Sequence, residues 1–270
     1  MNKSDQLHKI RVSIEDFVFS FITDEISIYD QMKIWEKDFG TFTNDAFYFV
    51  SISVNNQKPD IGADNYFIKD IFVKEFDQKF ICMHHKKQNI VFLYLQNKEG
   101  KEILLENVLN SLFSSRCIHK GMLLLHASAI IKNDKAVLFI GKSGAGKSTV
   151  AQLSGHNIIH DDVISIKYIG NRKFRINTIP FKEKYKNLSF TGGIDAVYNI
   201  VQSRKTFIRE MSRQEQYMRF LSSLWNFNEF KFGRYENDDL RILKYCKEIM
   251  AFFPVRELHF KKDKTFLELI

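Results

Sequence analysis

Proline is nearly missing from this 270-residue chain, with three in all, and cysteine is as scarce. There is no linker rich in glycine or proline, no low-complexity tract and no internal repeat, which excludes fibrous and solenoid architectures. The three cysteines, Cys82, Cys117 and Cys246, are odd in number, far apart and without a Cys-x-x-Cys spacing. That argues against a disulfide framework and a zinc site, and it fits a reducing compartment. No apolar run approaches the ~18 residues of a membrane span. The first residues, MNKSDQLHKIRVSIEDF, carry acids where a signal peptide would need an apolar core. The expectation is a soluble, cytoplasmic protein with no membrane partner.

What the chain does have is 44% hydrophobic residues and 14% aromatics, ample for one large or two ordinary packed domains, so a disordered chain is excluded. A formal charge of +8 would suit a polyanionic partner through counterion release. The charge is scattered among acids, however. Runs such as HHKKQN and HFKKDK read as solvated faces, and no helix-turn-helix, zinc-finger or RNA-binding pattern accompanies them. Nucleic acid is therefore not the expected partner.

Residues 1–115 read as a smaller α+β domain with strand candidates DFVFSFI, AFYFVSISV, KFICMHH and NIVFLYL, the last two facing each other across the turn KKQN. ILLENVLNSLFSSRCIH has apolar residues at helical spacing and serves as an amphipathic connector. Residues 116–270 read as an α/β domain with a mixed sheet. There MLLLHASAII, the turn KNDK and AVLFI form a β-hairpin whose second strand runs into a glycine-rich loop. STVAQL starts a short helix, NIIHDDVISI returns as a strand, and KFRINTI follows the turn IGNRK. FKEKYKNLSF reads as a loop and AVYNIVQS as a strand. SRQEQYMRFLSSLW is a helix with Ser212 as N-cap and Glu215 at the capping-box position. LRILKYCKEIMAFF is a second helix that stops before Pro254, and RELHF and TFLELI finish the chain.

The loop carries the chemistry. Gly141-Lys-Ser-Gly-Ala-Gly146-Lys147-Ser148 matches G-x-x-x-x-G-K-[ST], with an apolar strand before it and helix-forming residues after it. Its glycines let the backbone curl until several N–H groups and a helix N-terminus point at one anion. Gly141, Ser143, Gly144, Ala145, Gly146, Lys147, Ser148 and Thr149 are thus the expected nucleotide-binding residues. Lys147 would reach the β- and γ-phosphates, and the Ser148 hydroxyl would sit on Mg²⁺.

A dozen residues on, Asp161 and Asp162 stand inside an apolar, strand-like run. Buried carboxylates need a compensating cation, and the phosphate loop offers one in Mg²⁺. One aspartate would complete the metal shell and the other would accept the proton of an attacking hydroxyl. The alternative is a turn in which Asp161 caps backbone groups and Asp162 faces water. His126, the only ionisable side chain of its strand, is either a core histidine or a group set beside the loop by the hairpin. His160, next to the pair, either orients Asp161 or is simply partly exposed, and the second reading is preferred. Cys82, His84 and His85 could be gathered by a metal only against strand alternation, which sends neighbours 84 and 85 to opposite faces.

The order His126-Ala-Ser, strand, GKSGAGKST, short helix, IIHDDVISI resembles the catalytic domain of HPr kinase/phosphorylase and its HPr-kinase-like relatives, a group related to ATP-dependent phosphoenolpyruvate carboxykinase. The resemblance covers about residues 115–270. It implies an HPr-kinase-like P-loop fold using ATP and Mg²⁺, with Asp161 as the proton-accepting base and Ser148 and Asp162 bearing on the metal. It makes His126, Asp161 and Lys147 the catalytic set. EIMAFFPVRELHFKKD also looks like the tail of the branch that accompanies peptide-modifying clusters. The glycine-rich segment by which HPr kinase contacts its protein substrate has no match here, and Thr149 stands where HPr kinase carries Glu. The acceptor is accordingly read more broadly, as a hydroxyl, serine above all, on a peptide, a protein or a small molecule.

The expected function is an Mg-ATP-dependent kinase. The runner-up is a regulatory ATPase with no phosphoryl acceptor, which would need a water-positioning residue or an arginine finger; Arg204, Arg209 and Arg213 are candidates no better than surface arginines. The sequence is compatible with a homo-oligomer. Residues 1–115 are assigned to recognition of the acceptor.

Overall fold

The computed structural model describes residues 7–14, 17–39, 48–55, 65–68, 71–76, 80–85, 90–96, 105–106, 110, 113–114, 116–179, 189–225 and 237–270. The KKQN turn, most of FKEKYKNLSF and parts of the connector helix lie outside these residues. The chain is α/β, built of mixed sheets with few helices. It divides into one unit of Met1–Asn110 with Pro180–Lys182, and a second of Ser111–Ile179 with Glu183–Ile270.

The first unit holds a seven-stranded sheet in the order β1-β2-β3-β7-β6-β5-β4. Its strands are β1 (His8–Ile14), β2 (Phe17–Thr23), β3 (Tyr48–Asn55), β4 (Asn65–Ile68), β5 (Ile71–Phe76), β6 (Phe80–His85) and β7 (Ile90–Gln96). β2, β3 and β7 run parallel and the remaining pairs are antiparallel. Parallel neighbours cannot be joined by a tight turn, and β2 reaches β3 through helix α1 (Ile26–Phe39). α1 places Ile28, Met32 and Trp35 on one stripe, buried with Val12, Phe19 and Phe21 of β1 and β2. The strand β6 contains Cys82, His84 and His85, whose side chains are outside the described set.

In the second unit, two long strands organise everything else. β8 (Met122–Lys132) turns into β9 (Lys135–Ile140) at Asn133 and Asp134, both at positive φ (49° and 56°), the two-residue turn whose twist suits a hairpin. β13 (Ser189–Gln202) pairs in parallel with β9 and with β15 (Val255–Phe260), and through its first residues antiparallel with β12 (Lys173–Thr178). β11 (Val163–Gly170) lies between β8 and β12, β10 (Asn157–His160) pairs with the far half of β8, and β14 (Phe207–Arg209) edges β15.

AVLFI is apolar throughout because β9 is covered on both faces. Ala136, Leu138 and Ile140 join a core with Phe220, Ile242 and Ile249, while Val137 and Phe139 join a second with Val150, Ala151, Phe260 and Phe266. That alternation is the two-residue period of a strand buried from both sides. The helices covering it are α2 (Lys147–Ser154) on one face, and α3 (Arg213–Ser222) and α4 (Asp238–Ile249) on the other. Ser212 caps α3 in a reciprocal capping box with Glu215, as its sequence predicts.

β13 begins at Ser189, well before the strand expected at AVYNIVQS. Gly192 and Gly193 read as breakers, but the missing side chain of Gly192 makes room for the Phe190 ring, which a Cβ there would meet at 2.5 Å. NIIHDDVISI, expected as one strand, is two: the chain leaves the ladder at Asp161 and Asp162 between β10 and β11.

Candidate functional site

β9 delivers the chain to Gly141, and the loop 141–146 turns on three glycines in the left-handed region, Gly141 (φ 146°), Gly144 (φ 76°) and Gly146 (φ 102°). Ala145 N donates to Lys142 O inside the turn, at 3.1 Å. From the end of β13, Gln202 Nε2 donates to Gly144 O at 2.8 Å and ties down the tip. Below the loop lies the Phe260 ring from β15, which any Cβ on Gly146 would meet at 3.0 Å. Gly146 is also the N-cap of α2, and no side chain caps that helix. Its first-turn N–H groups thus project from a curled, glycine-lined loop, the arrangement that accepts a phosphate.

Lys147 Nζ donates to Gly141 O at 3.0 Å and Lys142 O at 3.2 Å, so the amine is held across the loop by the loop's own carbonyls. Burial lowers its pKa from the ordinary lysine value, and the Asp162 carboxylate works in the opposite direction. Asp162 and Lys147 therefore share one electrostatic site.

The carboxylates are presented by the gap between β10 and β11. Both strands pair with the same edge of β8, so Asp161 and Asp162 fall opposite Ser128 and Ala127. Ala127 N donates to Asp162 O at 2.9 Å. The Asp161 carbonyl collects two hydroxyls, Ser128 Oγ and Ser148 Oγ, each at 2.9 Å. Ser148 lies in the first turn of α2, so that helix is bonded directly to the aspartate turn.

The two aspartates differ in exposure: Asp161 is only 8% exposed, whereas the Asp162 side chain is 39% exposed. Asp162 Oδ1 lies 3.8 Å from His126 Nδ1, beyond hydrogen-bond length but within ion-pair range. The His126 ring rests on Trp225, 4.3 Å between centroids, and its side chain is 26% exposed. The hairpin thus sets His126 beside the aspartate turn.

His160 corrects an expectation. It is not partly exposed but 2% exposed, and its Nδ1 accepts from Asp162 N at 3.1 Å and Val163 N at 3.2 Å. A ring nitrogen can accept only with its lone pair free, so in this geometry Nδ1 acts as the acceptor and carries no proton. Leaving such buried N–H groups unpaired would cost about 1–3 kcal/mol.

A cleft of about 570 Å³ opens over the loop, lined by Ser143, Gly144, Gly146 and Lys147–Thr149 on one side. Its other wall comes from strand ends far along the chain: Gln202 and Ser203 at the end of β13, Phe260 and Lys262 at the end of β15. No motif marks these four. The one signal for them is indirect, in that β13, which pairs with β9, and β15, which pairs with β13, both end near the loop β9 feeds.

The arginine candidates are largely committed elsewhere. Arg209 Nε donates to the buried Glu257 at 2.9 Å and its NH1 to Glu215 at 3.1 Å, and Arg213 NH2 donates to Met250 O at 3.2 Å. Cys117 and Cys246 are buried free thiols, and burial pushes Cys246 up to about 12. Among the described residues no helix is long and apolar enough to cross a membrane.

No family profile and no curated protein matches the chain. Among solved structures, the HPr(Ser) kinase/phosphatase from Coxiella burnetii is similar at 15% sequence identity with a TM-score of 0.24, over 47% of this chain and 96% of that one. A likeness that slight carries no argument, which leaves function to be read from the chain's own residues.

Proposed function

We propose that residues 116–270 form an HPr-kinase-like, Mg-ATP-dependent kinase that phosphorylates a hydroxyl, serine above all, on a peptide, protein or small molecule, and that residues 1–115 serve acceptor recognition. The observation that carries the reading is the junction at Ser148. A glycine-rich loop, its lysine and the turn that bears the two aspartates meet there, with Ser148 Oγ bonded to the Asp161 backbone carbonyl and the Asp162 carboxylate acting on Lys147. Phosphoryl transfer asks mainly for positioning and charge stabilisation, and these are the groups that supply both.

The donor set suits magnesium. The Ser148 hydroxyl and the Asp162 carboxylate are hard oxygen ligands, and among the described residues no three His, Cys, Asp or Glu cluster as a softer metal would require. Magnesium, when bound, would neutralise charge on the phosphates. The loop N–H groups and Lys147 would hold the β- and γ-phosphates, which requires Nζ to exchange its two carbonyl partners for phosphate oxygens. Gln202, Ser203 and Lys262 would face the remainder of the nucleotide across the cleft.

Asp161 is assigned the base role by the sequence resemblance, with the proton passing from the acceptor hydroxyl to its carboxylate. His126, half-buried against Trp225, adds a polarisable group beside Asp162. The test is transfer of the terminal phosphate of labelled ATP to serine-bearing peptides and proteins encoded beside the gene, with Lys147→Ala as control. Acceptor labelling that needs Lys147 is the expected result. ATP hydrolysis with no acceptor labelled would replace the kinase by the regulatory ATPase.

A further inference from the structure

Resting on that reading, we infer that His160 is a positioning residue whose Nδ1 locks the Asp161–Asp162 turn and thereby aims the Asp162 carboxylate at the metal and Lys147. The turn interrupts the pairing with β8 between His160 and Val163, and its N–H groups need acceptors of their own. Two of them, on Asp162 and Val163, converge on the one ring nitrogen of His160, at 3.1 and 3.2 Å. The turn's carbonyls are held from the other side, Asp162 O by Ala127 N and Asp161 O by Ser128 and Ser148. His160 thus supplies the acceptor half of a clamp whose donor half comes from β8 and the P-loop helix.

An acceptor that takes the N–H groups two and three residues on is the pattern of an Asx turn, which Asn makes with its side-chain oxygen. The ring is therefore replaceable by Asn, but not by an apolar residue of similar volume. A group that orients a metal-binding carboxylate typically changes metal affinity 10–100-fold when removed. The lock acts through Asp162 and touches no reacting atom, so it should move the magnesium requirement and leave the loop's grip on phosphate alone.

The experiment compares the full-length wild type with His160→Leu and His160→Asn. Calorimetry measures ATP binding with and without Mg²⁺, and hydrogen exchange is followed at the amides of Asp162 and Val163 with no ligand added. For His160→Leu the Mg²⁺ concentration needed for half-maximal tight binding should rise about tenfold or more. Its metal-free ATP affinity should stay within about twofold, and the two amides should exchange faster. His160→Asn should match the wild type in all three. The lock is overturned if Leu leaves exchange and magnesium dependence unchanged, or if Asn is as impaired as Leu. Should His160→Leu fail to fold, the Asn variant decides alone: a raised magnesium requirement or faster exchange in it overturns the lock. A wild type that binds no Mg-ATP would bring down the nucleotide reading, while the exchange comparison, which needs no ligand, still decides whether His160 holds the turn.

Discussion

The hydroxyl of Ser148 donates to the backbone carbonyl oxygen of Asp161 across 2.9 Å, so the first turn of α2 is tied to the turn that bears both aspartates. A serine read only as a metal ligand has a structural duty as well. Ser148→Ala should therefore lower the stability of the ligand-free protein by about 0.5–1.5 kcal/mol, the net worth of one such bond. Thermal unfolding of wild type and variant without nucleotide measures it. An unchanged unfolding midpoint would mean that the bond adds nothing to the fold.

Asp161→Asn keeps size and shape but cannot take a proton near neutrality. If Asp161 is the base, transfer to the acceptor should fall by roughly 10²–10⁴ while Mg-ATP still binds. Asp162→Asn should instead raise the Mg²⁺ requirement, because an amide oxygen is a poorer ligand for a hard cation. Titrating Mg²⁺ at saturating ATP separates them: high metal should restore part of the activity of Asp162→Asn and almost none of Asp161→Asn. The opposite outcome would give the base to Asp162, the aspartate that lies beside His126.

Lys147→Ala should remove most ATP affinity, since its charge-assisted contacts to phosphate have no backbone substitute. The apo protein should lose little stability. With the lysine pKa lowered by burial, the folded state disfavours the charged amine, and the variant removes that penalty together with two hydrogen bonds. Calorimetry and thermal unfolding of the same preparation report both halves, and Mg-ATP binding at wild-type strength would sink the assignment of the loop.

Glu257 gives a prediction in pH. The Arg209 guanidinium bonded to it, with help from the His259 ring at 2.7 Å, holds its carboxyl below the ordinary value of 4.5 despite its burial. A carboxylate depressed on folding contributes stability that is present above its unfolded pKa and lost as pH falls through the folded one. Glu257→Gln should therefore destabilise the protein by about 1–3 kcal/mol near pH 7, and the gap between variant and wild type should shrink below pH 4.5. Urea unfolding at pH 7 and near pH 4 tests this, and an equal gap at both values would contradict it.

Where chemistry is local, this chain is easy to read. The phosphate loop is a run of eight residues, Ser212 and Glu215 announce α3 at a spacing of three, and Asn133-Asp134 between apolar strands marks the hairpin. What escaped depends on partners distant in sequence. The first half of β13 contains Gly192 and Gly193 and becomes strand only because β12 pairs with it and Phe190 folds over the gap. His160 beside two aspartates looks solvent-facing, and its burial follows from N–H groups orphaned by a break that periodicity does not register. Helix α1 was not read from the sequence, although Ile28, Met32 and Trp35 stand at helical spacing, because it lies between strands richer in aromatics. The far wall of the cleft, Gln202 to Lys262, carries no pattern because strand ends are brought to the loop by sheet order alone.

The Phe260 ring beneath Gly146 and the Gln202 amide on Gly144 have a bearing on how the protein matures. As the chain emerges from a ribosome, GKSGAGKS is complete more than a hundred residues before Phe260 has been made. Until then the loop lacks its floor, even though β13, which brings Gln202 to it, has already been made. Such long-range pairings are slow to close. A nascent or clipped chain ending before Val255 would carry the motif in its letters without the cradle in space. Whatever the finished loop holds cannot guide the early steps of assembly, because the floor of the cradle arrives last, with the C-terminal strand.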